Sequence, residues 1–250
     1  MKKNYTHISV VLDRSGSMAK CLADTIGGFN AFLSAQKQLE GEATITMVKF
    51  DDEYDIICNM VAIKDTVELS DKNYQPRGFT ALLDAIGRTI NNVEHDLSEK
   101  SEDEKPEKVI FVIITDGDEN RSREFNREQI MEMINRHRTE MKWEFVFIGA
   151  NQDAIQAGNS MGVRAGNSYT YKASSVGTQA MYAGLTRGMS SYRSKGVEEV
   201  NDQSYAFFAD DDRKTQENLM LNDDDKKDNF LKNPKGPLQN IFVRSDTDTK

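Results

Sequence analysis

The feature that most constrains the fold is an uninterrupted run of six apolar, mostly β-branched residues at positions 109–114. A strand that is apolar at every position must be covered on both faces, which is typical of a parallel sheet flanked by helices. Residues 8–12 and 143–148 are further, largely apolar strands. The segments between the strands carry apolar residues at helical spacing, as in residues 82–97. The alternation of strands and helices predicts a doubly wound α/β domain with a mostly parallel central sheet and helices on both faces.

One pair of strands departs from the parallel pattern. Residues 43–50 and 54–60 both have strand character, and only a short link that contains Asp51 and Asp52 separates them. Because so short a link has no room for a crossover helix, we expect two antiparallel neighbours. The prediction is therefore a sheet with one antiparallel edge strand. Towards its end the pattern adds a helix at 153–161, a strand at 168–171 and a helix at 174–193.

Composition narrows the class of partner. The formal net charge of −9 and the pI near 5.0 argue against nucleic acid as the main partner, and no Lys/Arg-rich block contradicts this. The two cysteines do not make a disulfide framework. The apolar stretch near the N-terminus is too short for a signal-peptide core, and no stretch is long and apolar enough to span a bilayer. We therefore expect a cytoplasmic protein with no membrane partner.

The composition changes near residue 195. We divide the chain into a domain at 1–195 and an acidic C-terminal extension at 196–250. In the extension, aspartate runs at 210–212 and 223–225 alternate with small apolar clusters at 207–208, 219–221 and 241–243, without a continuous period. The sequence leaves two interpretations open. The extension is either disordered, or it docks on the domain or on a partner with the apolar clusters as anchors.

Three polar loops lie where strands end or helices begin. The first carries Asp13, Ser15 and Ser17, the second carries Thr80, and the third carries Asp116. In an open α/β sheet, loops at the carboxyl ends of the strands line the edge at which ligands bind. All five side chains offer oxygen, and two of them are carboxylates. This set suits Mg²⁺ or Mn²⁺ and disfavours zinc, which prefers Cys and His.

These residues carry a resemblance to a known family. Asp13-x-Ser15-x-Ser17, then Thr80, then Thr115-Asp116-Gly117 resembles the metal-ion-dependent adhesion site of von Willebrand factor type A (VWA) domains. The resemblance covers about residues 5 to 193, includes the antiparallel strand between the first and second loops, and is closest to short intracellular VWA proteins of bacteria and phages. A lone Asp-x-Ser-x-Ser is a weak motif, but three loops in order and in strand context are specific.

The resemblance implies a role for each residue. Ser15 and Ser17 would bind the cation through their hydroxyls, and Thr80 directly or through water. Asp13 and Asp116 would act mainly through waters and the serine hydroxyls. A protein ligand would then supply an Asp or Glu carboxylate. As family analogy alone, the partner would be an AAA+ ATPase or another assembly partner. The alternative is that the first loop serves only as a helix cap and turn, with any metal incidental.

Residues beside the three loops are candidates for a partner-binding rim. Those after the third loop either rim the site or begin the next helix, where acidic residues are favoured; they include Arg121 and Arg123. The predicted rim set is Arg14, Gly78, Phe79, Asp118 and Asn120.

Two other functions compete with metal-dependent protein binding. A metal-dependent phosphoester hydrolase would need a general base or a second metal, and none of the three histidines lies at suitable spacing. We therefore expect no enzyme activity. A structural or self-assembling protein would use the extension, with its clusters at 207–208 or 241–243, to dock on a neighbouring copy.

Overall fold

The computed structural model describes residues 1–150 and 153–232, the side chains of 222–232 excepted. Within these ranges the chain forms a six-stranded sheet in the order β3-β2-β1-β4-β5-β6. Neighbouring strands are parallel except β2 and β3, which are antiparallel, so the predicted fold class and edge strand are confirmed. The strands are β1 (Lys2–Asp13), β2 (Glu42–Phe50), β3 (Tyr54–Ala62), β4 (Pro106–Thr115), β5 (Glu144–Ala150) and β6 (Ser168–Tyr171).

Helices cover both faces of the sheet. One core layer packs α1, α5 and the inward side chains of β1, β4 and β5, and the other packs α2, α3 and α4 against the opposite face. Strand β4 is buried at every position but one, as its apolar run predicts. The helices are α1 (Leu22–Lys37), α2 (Leu82–Ser98), α3 (Arg127–Glu140), α4 (Ala154–Ser160), α5 (Ser175–Ser194), α6 (Val197–Asn201) and α7 (Asp210–Lys232).

The sheet topology creates a crevice beside β1. The chain leaves β1 toward β2 on one side, whereas β4 pairs with β1 on the other. Their register places Leu12 opposite Ile114, so Asp13 and Thr115 end neighbouring parallel strands at the same edge. In open α/β sheets, loops that diverge from such a point leave room for a ligand. All three polar loops predicted from the sequence meet there.

The first part of the C-terminal extension packs on the domain. Phe207 and Phe208 are 3% and 1% exposed, and the Phe208 ring stacks on Tyr169 with centroids 4.4 Å apart. Asp212 is also buried and pairs with Arg187 of α5. These two aromatic side chains belong to the same core as α1 and α5, which is not the arrangement expected if they docked on a neighbouring copy.

Helix α7 was not expected, because its sequence lacks an apolar stripe. Its first turn carries Asp210, Asp211 and Asp212, where negative charge is favoured by the helix dipole. The apolar cluster at 241–243 lies outside the described residues, and the division of the chain at residue 195 stays a prediction. In the part that the structure describes, none of the helices has the length and apolarity to cross a membrane.

Candidate metal centre

The first loop is held by the side chain of Asp13, which is fully buried at the end of β1. Its Oδ1 accepts a hydrogen bond from the backbone N–H of Ser15 at 2.6 Å. Its Oδ2 accepts one from the hydroxyl of Thr115 at 2.6 Å, across to the end of β4. Asp13 therefore ties the first loop to the third, although 102 positions separate it from Thr115.

The hydroxyl groups of the site lie side by side. The Ser15 and Ser17 Oγ atoms are 3.0 Å apart, and the Ser17 hydroxyl donates to Asp116 Oδ1 at 2.5 Å. A Cβ atom at position 117 would lie 3.2, 3.6 and 3.9 Å from the hydroxyl oxygens of Thr80, Ser17 and Ser15, respectively. Three hydroxyls from two loops thus converge on one small space beside Gly117. A side chain at this position would occupy that space.

Burial shapes the electrostatics of the two carboxyl groups. It raises the pKa of Asp13 to about 6, against the lowering effect of its hydrogen bonds from Thr115 and Ser15. Burial also raises the pKa of Asp116, which the hydrogen bond from Ser17 opposes. Both shifts mean that the surroundings disfavour uncompensated negative charge. A cation placed among the hydroxyls would supply the missing positive charge, which makes the pair a candidate functional site.

The second loop is fixed by contacts to both other loops. Thr80 N–H donates to Asn120 Oδ1 at 3.0 Å, and Asn120 N–H donates to the Thr80 carbonyl at 3.1 Å. The Gly78 carbonyl accepts a hydrogen bond from Gly16 N–H at 3.3 Å. Gly78 has φ +66°, and a Cβ atom there would lie 2.0 Å from a carboxylate oxygen of Asp52. The positive φ favours glycine at position 78, and a side chain there would also displace the exposed Asp52 carboxylate.

Arg14 does not lie on the rim, contrary to the sequence-based expectation. It is 4% exposed and forms ion pairs with Asp51 at 3.1 Å and Asp55 at 2.8 Å. Asp51 is itself 1% exposed and also pairs with Arg77 at 2.8 Å. A buried guanidinium needs carboxylate partners, and Arg14 finds them in Asp51 and Asp55. Arg14 therefore joins the first loop to the end of β2 and the start of β3. It does not reach a partner at the surface.

Sequence reasoning missed several residues that position the site. Asp51 bridges Arg14 and Arg77, and its carbonyl accepts the N–H of Ala81 at 2.9 Å. Glu119 accepts the N–H of Leu83 at 2.9 Å and thereby caps α2. Asp84 accepts the N–H groups of residues 123–125. One signal was present, since Asp51 directly follows a strand whose carboxyl end lies at the same edge as Asp13.

The other four rim candidates lie at the surface near the hydroxyls. Gly78, Phe79, Asp118 and Asn120 are exposed, and Phe79 has 57% of its surface open to solvent. The Arg121 guanidinium lies over the Phe79 ring, 5.2 Å from its centroid. Asn120 has a structural contact with Thr80 in addition to its exposure.

The donor set fits a hard divalent cation better than a soft one. In the part of the chain with described side chains, no group of three or more His, Cys, Asp or Glu residues is arranged to hold a metal. The oxygen atoms that converge here are instead three hydroxyls backed by two carboxylates. Neutral oxygens are accepted by Mg²⁺ and Mn²⁺, whereas zinc sites rely on Cys and His. Ser15, Ser17 and Thr80 are therefore the residues that would hold such an ion.

Comparison with solved structures places the fold. The chain is similar to the pilus adhesin SpaC from Lactobacillus rhamnosus GG, with 12% identity, 77% of this chain and 30% of that chain covered, and a TM-score of 0.57. It is also similar to the vWF domain of the pili tip protein Mfa5 from Porphyromonas gingivalis, with 11% identity, coverage of 76% and 97%, and a TM-score of 0.54. The chain therefore has the VWA fold, which at these identities is all that the likeness shows.

A third similar structure is proximal thread matrix protein 1 from the mussel byssus, with a zinc-occupied MIDAS motif. The identity is 12%, the TM-score is 0.54, and the match covers 73% of this chain. This chain spans about half of the mussel protein, 47% of its length. No family model and no curated protein matches the sequence.

Proposed function

We propose that this chain is a metal-dependent protein-interaction module without catalytic activity. Ser15, Ser17 and Thr80 hold Mg²⁺ or Mn²⁺. Asp13 and Asp116 do not bind the ion directly but stabilise it through waters and the serine hydroxyls. The cation supplies an open coordination position for an Asp or Glu carboxylate of a partner protein. Because the three nearest protein ligands are neutral, the ion keeps its attraction for an acidic group.

The observation that carries this proposal is the convergence of three hydroxyl oxygens beside Gly117, at 3.2 to 3.9 Å from one point. Helix capping does not account for this arrangement. The side chain of Ser15, which precedes the 3₁₀ turn at Gly16–Cys21, makes no capping hydrogen bond. The raised pKa of Asp13 and of Asp116 supports a cation between the loops. The alternative of a mere cap and turn does not predict the convergence of the three hydroxyls.

The wider setting is part of the same proposal. Among proteins of similar fold are a pilus adhesin and a pilus tip protein, which makes a protein partner a reasonable expectation for this chain. An AAA+ ATPase or another assembly factor remains the class of partner that the resemblance suggests. A bacterial or phage origin, a cytoplasmic location and the division into a domain at 1–195 and an extension at 196–250 are likewise predictions.

Metal binding is tested first, with the full chain and no partner. Isothermal titration with Mg²⁺ and with Mn²⁺ should give one site in the wild type. Ser15→Ala and Ser17→Ala should lose it, because each removes a ligand oxygen. Ser98→Ala is a matched control, since Ser98 is an exposed serine at the far end of α2. Equal metal binding by all four proteins would refute the assignment of the site.

Partner binding is tested by capture from a native lysate with immobilised chain. We expect a protein retained in Mg²⁺, released by EDTA, and not retained by the Asp13→Ala/Ser15→Ala double variant. Retention that ignores both EDTA and the double variant would move the interaction to another surface. In that case the titration result decides separately whether the loops bind a cation at all.

A further inference from the structure

One arginine beside the candidate metal centre has an unusual environment. Arg121 is exposed, and in the range that the structure describes its guanidinium makes no salt bridge or hydrogen bond, although its charge helps to lower the pKa of Asp52. Most other arginines in the described residues form ion pairs or hydrogen bonds through their side chains, for example Arg88 with Glu124 and Arg136 with Glu94. A charged group that is positioned but unpaired at the surface is available to a ligand.

The position of Arg121 is determined from both sides. Its backbone N–H donates to Glu119 Oε1 at 2.8 Å, and the preceding residue, Asn120, exchanges two hydrogen bonds with Thr80. Its guanidinium lies 5.2 Å from the centroid of the Phe79 ring, a cation–π distance. Since Phe79 directly precedes Thr80, the Arg121 guanidinium lies over the residue that is next to a proposed metal ligand.

The surrounding charge supports an acidic ligand. Lys20 is exposed, and its charge lowers the pKa of Asp116, which places this second cation near the site. Asp118 and Asp52 are the nearby carboxylates, and Asp52 is engaged with Phe79 N–H at 3.2 Å. A chain with a net charge of −9 thus keeps two exposed cations, Arg121 and Lys20, beside the carboxylates at the edge where the hydroxyls converge.

We propose that Arg121, supported by the Phe79 ring, selects protein ligands that carry a second acidic residue beside the carboxylate that meets the cation. This inference rests on the proposed function and adds the sequence class of the partner to it. The metal-bound carboxylate gives binding, and the second carboxylate pairs with Arg121 at the solvent-exposed rim. Such rim pairs act mainly on the association rate and on the choice of partner.

Selection from a random peptide library displayed on phage tests the idea on the full-length chain in Mg²⁺. The wild type should enrich peptides with one invariant Asp or Glu and a second acidic residue at a fixed spacing. Arg121→Glu should keep the invariant acid but replace the second acid by Lys or Arg. Arg123→Glu is the matched control, because Arg123 is equally exposed, lies two residues further on, and is held through its backbone by Asp84.

The leading synthetic peptide then gives the size of the effect. Arg121→Glu should bind it roughly fivefold to tenfold more weakly, as expected for reversal of one exposed charge pair. Most of the change should lie in the association rate, and it should shrink at high salt. Circular dichroism checks that each variant is folded.

The outcomes separate the two proposals. If the enriched motif has a single acid, or is the same for wild type and Arg121→Glu, the role of Arg121 is wrong while the metal-dependent function stands. If no enrichment depends on Mg²⁺, or if Ser15→Ala selects the same peptides, the proposed function fails and the inference fails with it.

Discussion

His7 makes the stability of this protein sensitive to acid in a way that can be measured. The side chain is fully buried in β1, with Nδ1 3.0 Å from Thr44 Oγ1 and Nε2 3.1 Å from Ser9 Oγ. Both partners are hydroxyls, so the neutral ring is satisfied but an imidazolium would have no carboxylate to pair with. Burial, with a smaller effect of Lys100, lowers the pKa of His7 from 6.5 to about 3.

The sign of the effect follows from proton linkage. Between pH 6.5 and pH 3 the unfolded chain binds a proton at His7 and the folded chain does not, so falling pH favours unfolding. Above pH 6.5 the ring of His7 is neutral in both states, so the buried histidine does not lower the stability of the fold there. Proton binding at His7 in the unfolded state lowers the free energy of unfolding by about 2 kcal/mol at pH 5 relative to pH 7.5. This value hardly changes for any folded-state pKa of His7 below about 4. His7→Gln removes the titrating group and should remove that part of the loss.

The assay is urea unfolding followed by circular dichroism at pH 7.5 and pH 5, in EDTA so that no metal contributes. Wild type and His7→Gln should differ by about 2 kcal/mol in their loss of unfolding free energy between the two pH values. His95→Gln is the control, because His95 is exposed on α2. If His7→Gln loses as much stability as the wild type, the buried neutral histidine is not the cause.

Three further predictions concern other buried groups. Asp13→Asn should raise the free energy of unfolding in EDTA at pH 7.5 by up to about 3 kcal/mol, because the pKa of Asp13 is raised to about 6 and its negative charge destabilises the folded state above that pH. In a thermal melt, the same variant should not be stabilised by added Mg²⁺. Phe208→Ala should cost about 3 to 5 kcal/mol in urea unfolding, and the exposed Leu221→Ala almost nothing; equal stability of the two would show that the extension is not part of the folded unit. Asp51→Asn should cost about 3 kcal/mol in the same assay, because it removes the buried carboxylate that faces Arg14.

The elements that could be predicted from the sequence are those whose residues follow one period. The run at 109–114 and the apolar stripe of α2 gave strands and helices within a few residues of the observed bounds. Helix α7 follows no such period, and it is stabilised by contacts that sequence spacing does not reveal, such as Arg187 with Asp212. Strand β1 begins at Lys2, earlier than expected, and its added residues include Tyr5, Thr6 and His7, which pair with β2 and are buried despite their polar atoms.

Some features of the candidate site could likewise be predicted from the sequence, and others could not. Asp13, Ser15 and Ser17 are neighbours in the sequence, and Thr80 and Asp116 follow recognisable elements, so their proximity was predictable from the sheet topology. The exchange of hydrogen bonds between Thr80 and Asn120 was not, because 40 positions separate the two residues. Arg14 shows the opposite error. Its place in a polar loop suggested exposure, but it is buried and pairs with Asp51 on the β2–β3 link and with Asp55 in β3.

The paired hydrogen bonds between Thr80 and Asn120 have a consequence for how such a protein can change over evolutionary time. In each loop, one residue (Thr80 or Asn120) makes these hydrogen bonds, and its neighbour (Phe79 or Arg121) is exposed. The side chains of Phe79 and Arg121 contact each other at the surface. Substitutions at these two neighbours can alter which proteins are recognised while the oxygen atoms of the centre stay where they are. Under the proposed function, a lineage could therefore exchange one partner for another through two surface codons, without altering the hydroxyls that would hold the cation.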